Sequence, residues 1–561
     1  MKQRILEYAK KPIVWILALN AAVYLTGLCW GLPSSEDWHS DSLAPYYPLL
    51  GLSQGFSFGY LNKYPLVHQM LLALLNIPVA VAAFINSNPT EGLSLSKFLM
   101  LIRSPEYASV LTFTDRFVSV LMGLGIVYWM YRCAKELFGE CVGWLTALLL
   151  TFDAALAFYA HMAKVEVPYI FWGVLGMYML IRVVKYERLR DYVYLALFSC
   201  LCYGTKDQGY AIFVLPFIMY LVVYKIIYRK AGTTRLAAAF RKNFLIFALA
   251  FIGFSIVTQN IILNWEGFVY RFGILTGWNG QRSISYTMEL AGIWALLVDN
   301  IRTAASNGIG MPLVLLYAGG AVAFIVATRN DKQTLRQQAI FLWATLSVYL
   351  CFIQVVRQAQ VRYLIPATVF MSVYGAWFIN FIWERAKGKV RICIASALAV
   401  LCIYSFYPVV STDMNLLNDL RVDAEKWMKD NVPAGSRIEY YAYLHYLPRF
   451  SEDVYAYRVT KRAMEIEKRK PDYIVLTSHY YTRFFGGTEA NVAVDGRIVN
   501  TPKAIDIRTS SDMPEFLQNL FDDKLNYVVA KDFIQGKRWY KRITHARISP
   551  ERILIYKRVN K

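Results

Sequence analysis

Cysteine is missing from everything after residue 402. The eight cysteines, at 29, 133, 141, 200, 202, 351, 393 and 402, all lie in or beside long apolar runs, so the C-terminal part folds without disulfides. No CxxC pair occurs, which removes the common thiolate metal sites. Nor does the stretch beyond residue 411 hold a glycine-rich phosphate loop or a nucleophile elbow, and it carries no catalytic signature of its own. Acidic residues are scarce, 39 against 60 Lys and Arg, for a net charge of +21. Such a balance raises nucleic acid as a partner, but the cations sit beside apolar runs and point to a bilayer instead.

Apolar residues are what the sequence has in excess. Over 561 residues, 57% are hydrophobic and the mean hydropathy is +0.34, above the range of soluble globular chains and indicative of a polytopic membrane protein. With about 20 residues needed to cross a bilayer, eleven spans are expected. They fall near 13–32, 111–131, 142–160, 168–184, 191–204, 209–228, 243–263, 311–328, 338–355, 363–383 and 391–408. The first run follows four cations but is too long for a signal segment and has no small-residue cleavage site, so it is a retained helix.

Eleven crossings that start inside leave the C-terminus outside. The connections this assigns to the cytoplasm hold 23 Lys or Arg in 63 residues, and those assigned outside hold 10 in 145, as the positive-inside rule requires. The run Leu66 to Ile85 resists this count: letting it cross would invert every later loop. It is expected to lie on or dip into the outer face with Pro78 interrupting it, or to pair with the apolar stretch near 97–120. The expected organisation is a helical membrane domain over 1–410 with an outer loop at 33–110, followed by an α/β domain over 411–561. In that tail "NDLRVDAEKWMKDN" reads as an amphipathic helix, "PDYIVLTS", "LNYVVAKDF" and "RILIYKRV" as strands, and "DMPEFLQNLFDD" as a helix.

With this topology, ionisable residues gather at the outer ends of the spans. They are Asp41 in the first outer loop; Asp153, His161, Lys164 and Glu166 near the 160–168 turn; Lys206 and Asp207 in "GTKDQGY"; and Arg357 and Arg362 in "VVRQAQVRYLIP". Charges at a bilayer edge are costly unless they face water or a ligand, so a set from four loops suggests one site. Carboxylates can deprotonate a hydroxyl or hold a metal, and Lys and Arg can neutralise a departing phosphate. Each also has a plain structural role open to it: Asp41 as a solvated acid or helix cap, Asp153 in a helix–helix pair, and the cations as snorkelling interface residues. His39 with scattered acids leaves a divalent cation as the one cofactor to consider, with no metal ligand assigned.

These stretches resemble the family 39 membrane glycosyltransferases, which comprise protein O-mannosyltransferases and lipid A aminoarabinose transferases. "WHSDSLAPYY" lies where that family has its acidic Asp-Glu motif, with Asp41 at the Asp and Ser42 where Glu is usual, which leaves Glu36 and Asp37 as substitutes. "FDAALAFYAHMAKVEVPY" is similar to the third-helix pattern, with Asp153 kept, His161 in place of Arg and Glu166 in place of the second Asp. "YGTKDQGY" and "VRYLIPA" match the Thr-Lys-Gly and Arg-Tyr-x-x-Pro turns through Lys206 and Arg362. "LNKYPLVHQMLLALL", with Tyr64, resembles the Tyr-Pro-Pro-Leu-His stretch of bacterial members.

The resemblance implies the GT-C fold and an inverting transfer of a sugar from a polyprenyl-phosphate donor to an acceptor (protein, lipid or polysaccharide) at the outer face of a bacterial cell membrane. It implies Asp41 as general base, Glu166 orienting the acceptor or assisting Asp41, Lys206, Arg362 and Arg357 on the donor phosphate, and Asp153, His161, Lys164, Asp207 and Tyr64 in support. A transporter or flippase of lipid-linked glycans, binding without chemistry, is the alternative.

Overall fold

The computed structural model describes residues 11–34, 38, 42–56, 64–87, 95–230, 234–276, 285–331, 337–460, 462–484, 492–494, 497–499, 512–535 and 549–559. Glu36, Asp37, His39 and Asp41 lie outside the described residues.

Each of the eleven expected runs is helical. Among the described residues six helices are long and apolar enough to cross a bilayer: Pro105–Phe138, Glu166–Tyr186, Arg241–Thr258, Met311–Thr328, Val361–Arg385 and one that begins at Lys389. Two further apolar helix pairs are bent, with the length and composition of a broken span or of a re-entrant loop. Glu140–Leu150 and Ala154–Ala160 meet at 68°, and Leu66–Leu75 and Ile77–Asn86 at 50°. The first break falls at Asp153, whose carboxylate accepts the Leu156 N–H at 2.9 Å and starts a new helix. The second falls at Asn76, just before Pro78, where the sequence expects an interruption. Shorter apolar helices cover Pro12–Leu25, Asp207–Val222 and Ile340–Val356. The connection expected at 264–310 also folds, into helices Trp265–Thr276 and Leu290–Asn307.

Burial follows lipid exposure. The Glu166–Tyr186 helix is the inner one, 72% buried along its apolar window, whereas the last long helix is 17% buried and presents Val390, Ile392, Val400 and Ile403 outward. These apolar helices make the chain an integral membrane protein. The last helix runs without a break to Leu417, past the end of its apolar run.

Beyond it, Asp419 caps the helix Leu420–Asn431. Strands β1 (Arg437–Tyr440), β2 (Tyr455–Arg458), β3 (Tyr473–Thr477), β6 (Tyr527–Ile534) and β7 (Arg552–Arg558) form one sheet in the order β2-β1-β3-β7-β6, and β4 (Val492–Val494) and β5 (Arg497–Val499) form a hairpin. The β1 pairs with β2 and β3 are parallel and the other pairs of the large sheet antiparallel. Helix Met513–Phe521 buries Met513, Phe516, Leu517 and Leu520 on its inner face, the period-3.6 pattern seen in the sequence.

Candidate functional site

The site forms where helix ends from distant parts of the chain meet. After the Ala154–Ala160 helix a tight turn, with the Lys164 N–H donating to the Met162 carbonyl at 2.9 Å, leads into the next helix. Glu166 is that helix's first residue, where the helix dipole favours a carboxylate, and it is 1% exposed. Lys206 follows the end of the Leu189–Thr205 helix in an extended conformation that turns its side chain inward. Its Nζ lies 3.0 Å from Glu166 Oε1. Lys164 and Arg362, from two other stretches of the chain, stand near enough for their charges to act on the Glu166 carboxylate as well.

Aromatic rings frame this group. The Lys206 ammonium lies 5.4 Å from the Tyr169 ring centre and 5.9 Å from that of Tyr363, Lys164 lies 5.4 Å from Tyr159, and Arg362 lies 5.2 Å from Tyr363. Arg362 Nε donates to Gln360 Oε1 at 2.7 Å, which holds the guanidinium at the start of its helix. The first outer loop reaches the same place: the Leu43 N–H donates to the Ala163 carbonyl at 3.1 Å, next to Lys164.

Four expected participants are engaged elsewhere. Asp153 is a buried helix cap that also accepts from Thr368 Oγ1 at 2.6 Å. His161 is surrounded by acceptors, the Ala157 carbonyl at 2.7 Å, the Val23 carbonyl at 3.1 Å and Asp413 at 3.6 Å, and ties three helices together. Arg357 sits in the left-handed region (φ 53°), which directs its guanidinium to the carbonyls of Tyr286 and Thr287 rather than to the cluster. Asp207 pairs with Arg271 at 3.5 Å, and Arg271 also donates to the Gln259 carbonyl at 2.9 Å. Tyr64 packs half-buried on the main apolar core. Among the described residues no three His, Cys, Asp or Glu side chains converge as a metal site would require.

The tail grips the first outer loop from the other side. Arg421, fully buried and bidentate to Asp419, stacks 4.2 Å from the Trp38 ring, and Asp419 accepts from Trp30 Nε1 at 2.9 Å. Arg449 pairs with Glu425 at 2.5 Å and donates to the Gly31 and Pro33 carbonyls. No sequence motif signals this clamp, because its partners are some 390 residues apart.

Residues 108–259 match the sequence profile of the dolichyl-phosphate-mannose-protein mannosyltransferase family. Over 97% of both chains, the structure superposes on ArnT from Cupriavidus metallidurans in the apo state, at 12% identity and a TM-score of 0.50. The chain has the GT-C fold. The fold, and the family profile over residues 108–259, agree with the resemblance that the motifs carry. ArnT from the same organism bound to undecaprenyl phosphate aligns at 15% identity over 74% of this GT-C chain and 72% of its own (TM-score 0.44). The Archaeoglobus fulgidus oligosaccharyltransferase AglB, in complex with an inhibitory peptide and a dolichol-phosphate, aligns at 12% over 97% and 88% (TM-score 0.44). No curated protein sequence matches the chain.

Proposed function

We propose that the chain is an inverting glycosyltransferase that moves a sugar from a polyprenyl-phosphate donor to an acceptor at the outer face of the membrane. The observation that carries this reading is the buried Lys206–Glu166 pair, 3.0 Å apart, with Lys164 and Arg362 near enough for their charges to reach it. Lys206 and Lys164 are buried and Arg362 half-buried beside this carboxylate, and cations so placed complement a sugar phosphate, whose charge grows as its sugar leaves. The family profile matched over 108–259 belongs to enzymes named for a lipid-phosphate sugar, which agrees with that donor class.

In this mechanism the acceptor oxygen attacks the anomeric carbon opposite the phosphate, the carbon–oxygen bond to phosphate breaks, and polyprenyl phosphate departs onto Lys206 and Arg362. Asp41 takes the acceptor's proton. Arg362 offers a planar fork to two phosphate oxygens and Lys206 a point charge. In this reading Glu166, whose Oε1 is 3.0 Å from Lys206 Nζ, also holds Lys206 at the phosphate. Asp153, His161, Arg357 and Asp207 shape the surrounding helices. The N-terminus is cytoplasmic, and the tail over 411–561 is a separate extracytoplasmic domain.

The test is to incubate purified protein in lipid with a panel of radiolabelled polyprenyl-phosphate sugars. Loss of one donor with release of polyprenyl phosphate supports the reading. A donor that crosses the bilayer intact makes the chain a flippase and overturns it.

A further inference from the structure

On a helix that packs against the Lys206 turn, two neighbouring polar side chains are buried without a hydrogen-bond partner among the described residues. His68 and Gln69 are each 1% exposed, and among the described residues neither the His68 ring nitrogens nor the Gln69 amide nitrogen and oxygen have a hydrogen-bond partner. Folding such groups into the protein costs stability, and buried polar atoms in native proteins nearly always find a partner. Both belong to the helix Leu66–Leu75.

That helix is pressed against the Lys206 turn. A Cβ at Gly204, two residues before Lys206, would stand 2.8 Å from Val67 Cγ2, so the absent side chain is what lets the two segments touch. One turn further along, Leu72 is wholly buried in the main core and fixes the helix in place. His68 lies close enough to Glu166 to feel its charge.

The chemistry of the two side chains differs from that of the cations. A neutral imidazole offers one donor and one acceptor, and a carboxamide offers two donors and one acceptor. That set suits hydroxyl groups, which both give and take hydrogen bonds, whereas phosphate oxygens only accept. Two groups are joined to the phosphate of a polyprenyl-phosphate sugar, an apolar polyprenyl chain and a hydroxyl-bearing sugar ring, and only the ring matches these donors and acceptors. We propose that His68 and Gln69 bind the hydroxyl groups of the transferred sugar and select which sugar is accepted. This inference rests on the donor class proposed above. A site that hydrogen-bonds a hydroxyl strongly rejects an analogue lacking it, because the site's own polar groups are then left unpaired.

The experiment measures binding of labelled polyprenyl phosphate, with and without its sugar, to the full chain in lipid nanodiscs, alongside the melting temperature. The sugar-bearing lipid used is the one that wild type consumes or binds best. His68→Met removes the polar atoms and keeps the bulk. The expected result is an equal or higher melting temperature, unchanged affinity for the bare lipid phosphate and about tenfold or greater loss for the sugar-bearing donor. Gln69→Met is expected to behave alike and serves in its place if His68→Met does not fold. Wild-type preference for the sugar-bearing donor that persists in both variants overturns this inference and leaves the donor class standing. A change confined to acceptor affinity overturns it too. Wild type binding neither lipid overturns the donor class and this inference together.

Discussion

Lys206 Nζ and Glu166 Oε1 are 3.0 Å apart, brought together from two helices 40 residues apart in sequence, and both side chains are buried. The positive charge is therefore aimed before any donor arrives. Lys206→Met should reduce transfer roughly 10- to 1,000-fold, the usual loss for one electrostatic stabiliser. Glu166→Gln leaves the buried Lys206 without its 3.0 Å partner, at a cost of about 3–5 kcal/mol, whereas Lys206→Met leaves Glu166 with Lys164 and Arg362 beside it and costs less. The double variant Lys206→Met/Glu166→Gln should regain most of that stability and none of the activity. Calorimetry and donor kinetics on the three proteins check it, and recovery of activity in the double variant would remove the pair from the phosphate site.

For proton transfer, Asp41→Asn is nearly isosteric and should leave folding and donor binding intact while cutting transfer by roughly 100- to 10,000-fold, since an amide takes no proton at neutral pH. Because Ser42 stands where a second acid is usual in the resembling family, Glu36→Gln and Asp37→Asn are measured in parallel. Loss in one of those with near-normal transfer by Asp41→Asn would move the base to that residue.

The clamp from the tail makes a separate prediction. Arg449 joins Glu425 to the Gly31 and Pro33 carbonyls and lies 5.1 Å from the Trp38 ring, at the near end of the stretch that carries Glu36, Asp37 and Asp41. Arg449→Ala should lower kcat and leave the donor KM unchanged, and Arg449→Lys should restore part of it. Equal kinetics in Arg449→Ala and wild type would make the tail a passive appendage.

Within the tail, Glu439 on β1 is fully buried and accepts from Arg469 Nε and Nη2, each at 2.7 Å, and from the hydroxyls of Tyr457 and Tyr441. Those bonds to Glu439 hold the Arg469 guanidinium's pKa above its ordinary range. Arg469→Met strands the carboxylate and should destabilise the tail by about 3–5 kcal/mol. Urea titration of the full chain, followed by proteolysis of the tail, reads this directly, and a midpoint like that of wild type would contradict it.

Topology is tested with single cysteines in a cysteine-free background. Ser53→Cys and Asp430→Cys, both at exposed positions, should react with an impermeant thiol reagent in intact cells. Protection of both would invert the orientation and put the proposed site inside.

Much of this site was legible because its residues announce themselves locally. Glu166, Lys206 and Arg362 each open or close a helix beside a recognisable turn, and one side of the membrane collects all three. Asp153 and Arg357 share those surroundings, but their partners, Thr368 and the Tyr286 and Thr287 carbonyls, lie 215 and about 70 residues away, beyond any local pattern. Asp207 is next to Lys206 in sequence, yet Arg271 draws it aside. In the tail, β2 carries no sequence signal because it is a four-residue edge strand with no buried face, whereas β3, buried throughout, reads as an apolar run. His68 is visible as a residue, but that it lies buried with no hydrogen-bond partner among the described residues is a property of the packed helices alone.

The central claim is sugar transfer from a lipid phosphate at the Lys206 cluster. Its most direct test follows release of polyprenyl phosphate from a labelled polyprenyl-phosphate sugar by wild type, Lys206→Met and Asp41→Asn, each reconstituted in lipid. The account predicts release by wild type and its loss in both variants, with the donor still bound by Asp41→Asn. Release that is undiminished in both variants, or no release from any donor by wild type, would contradict it.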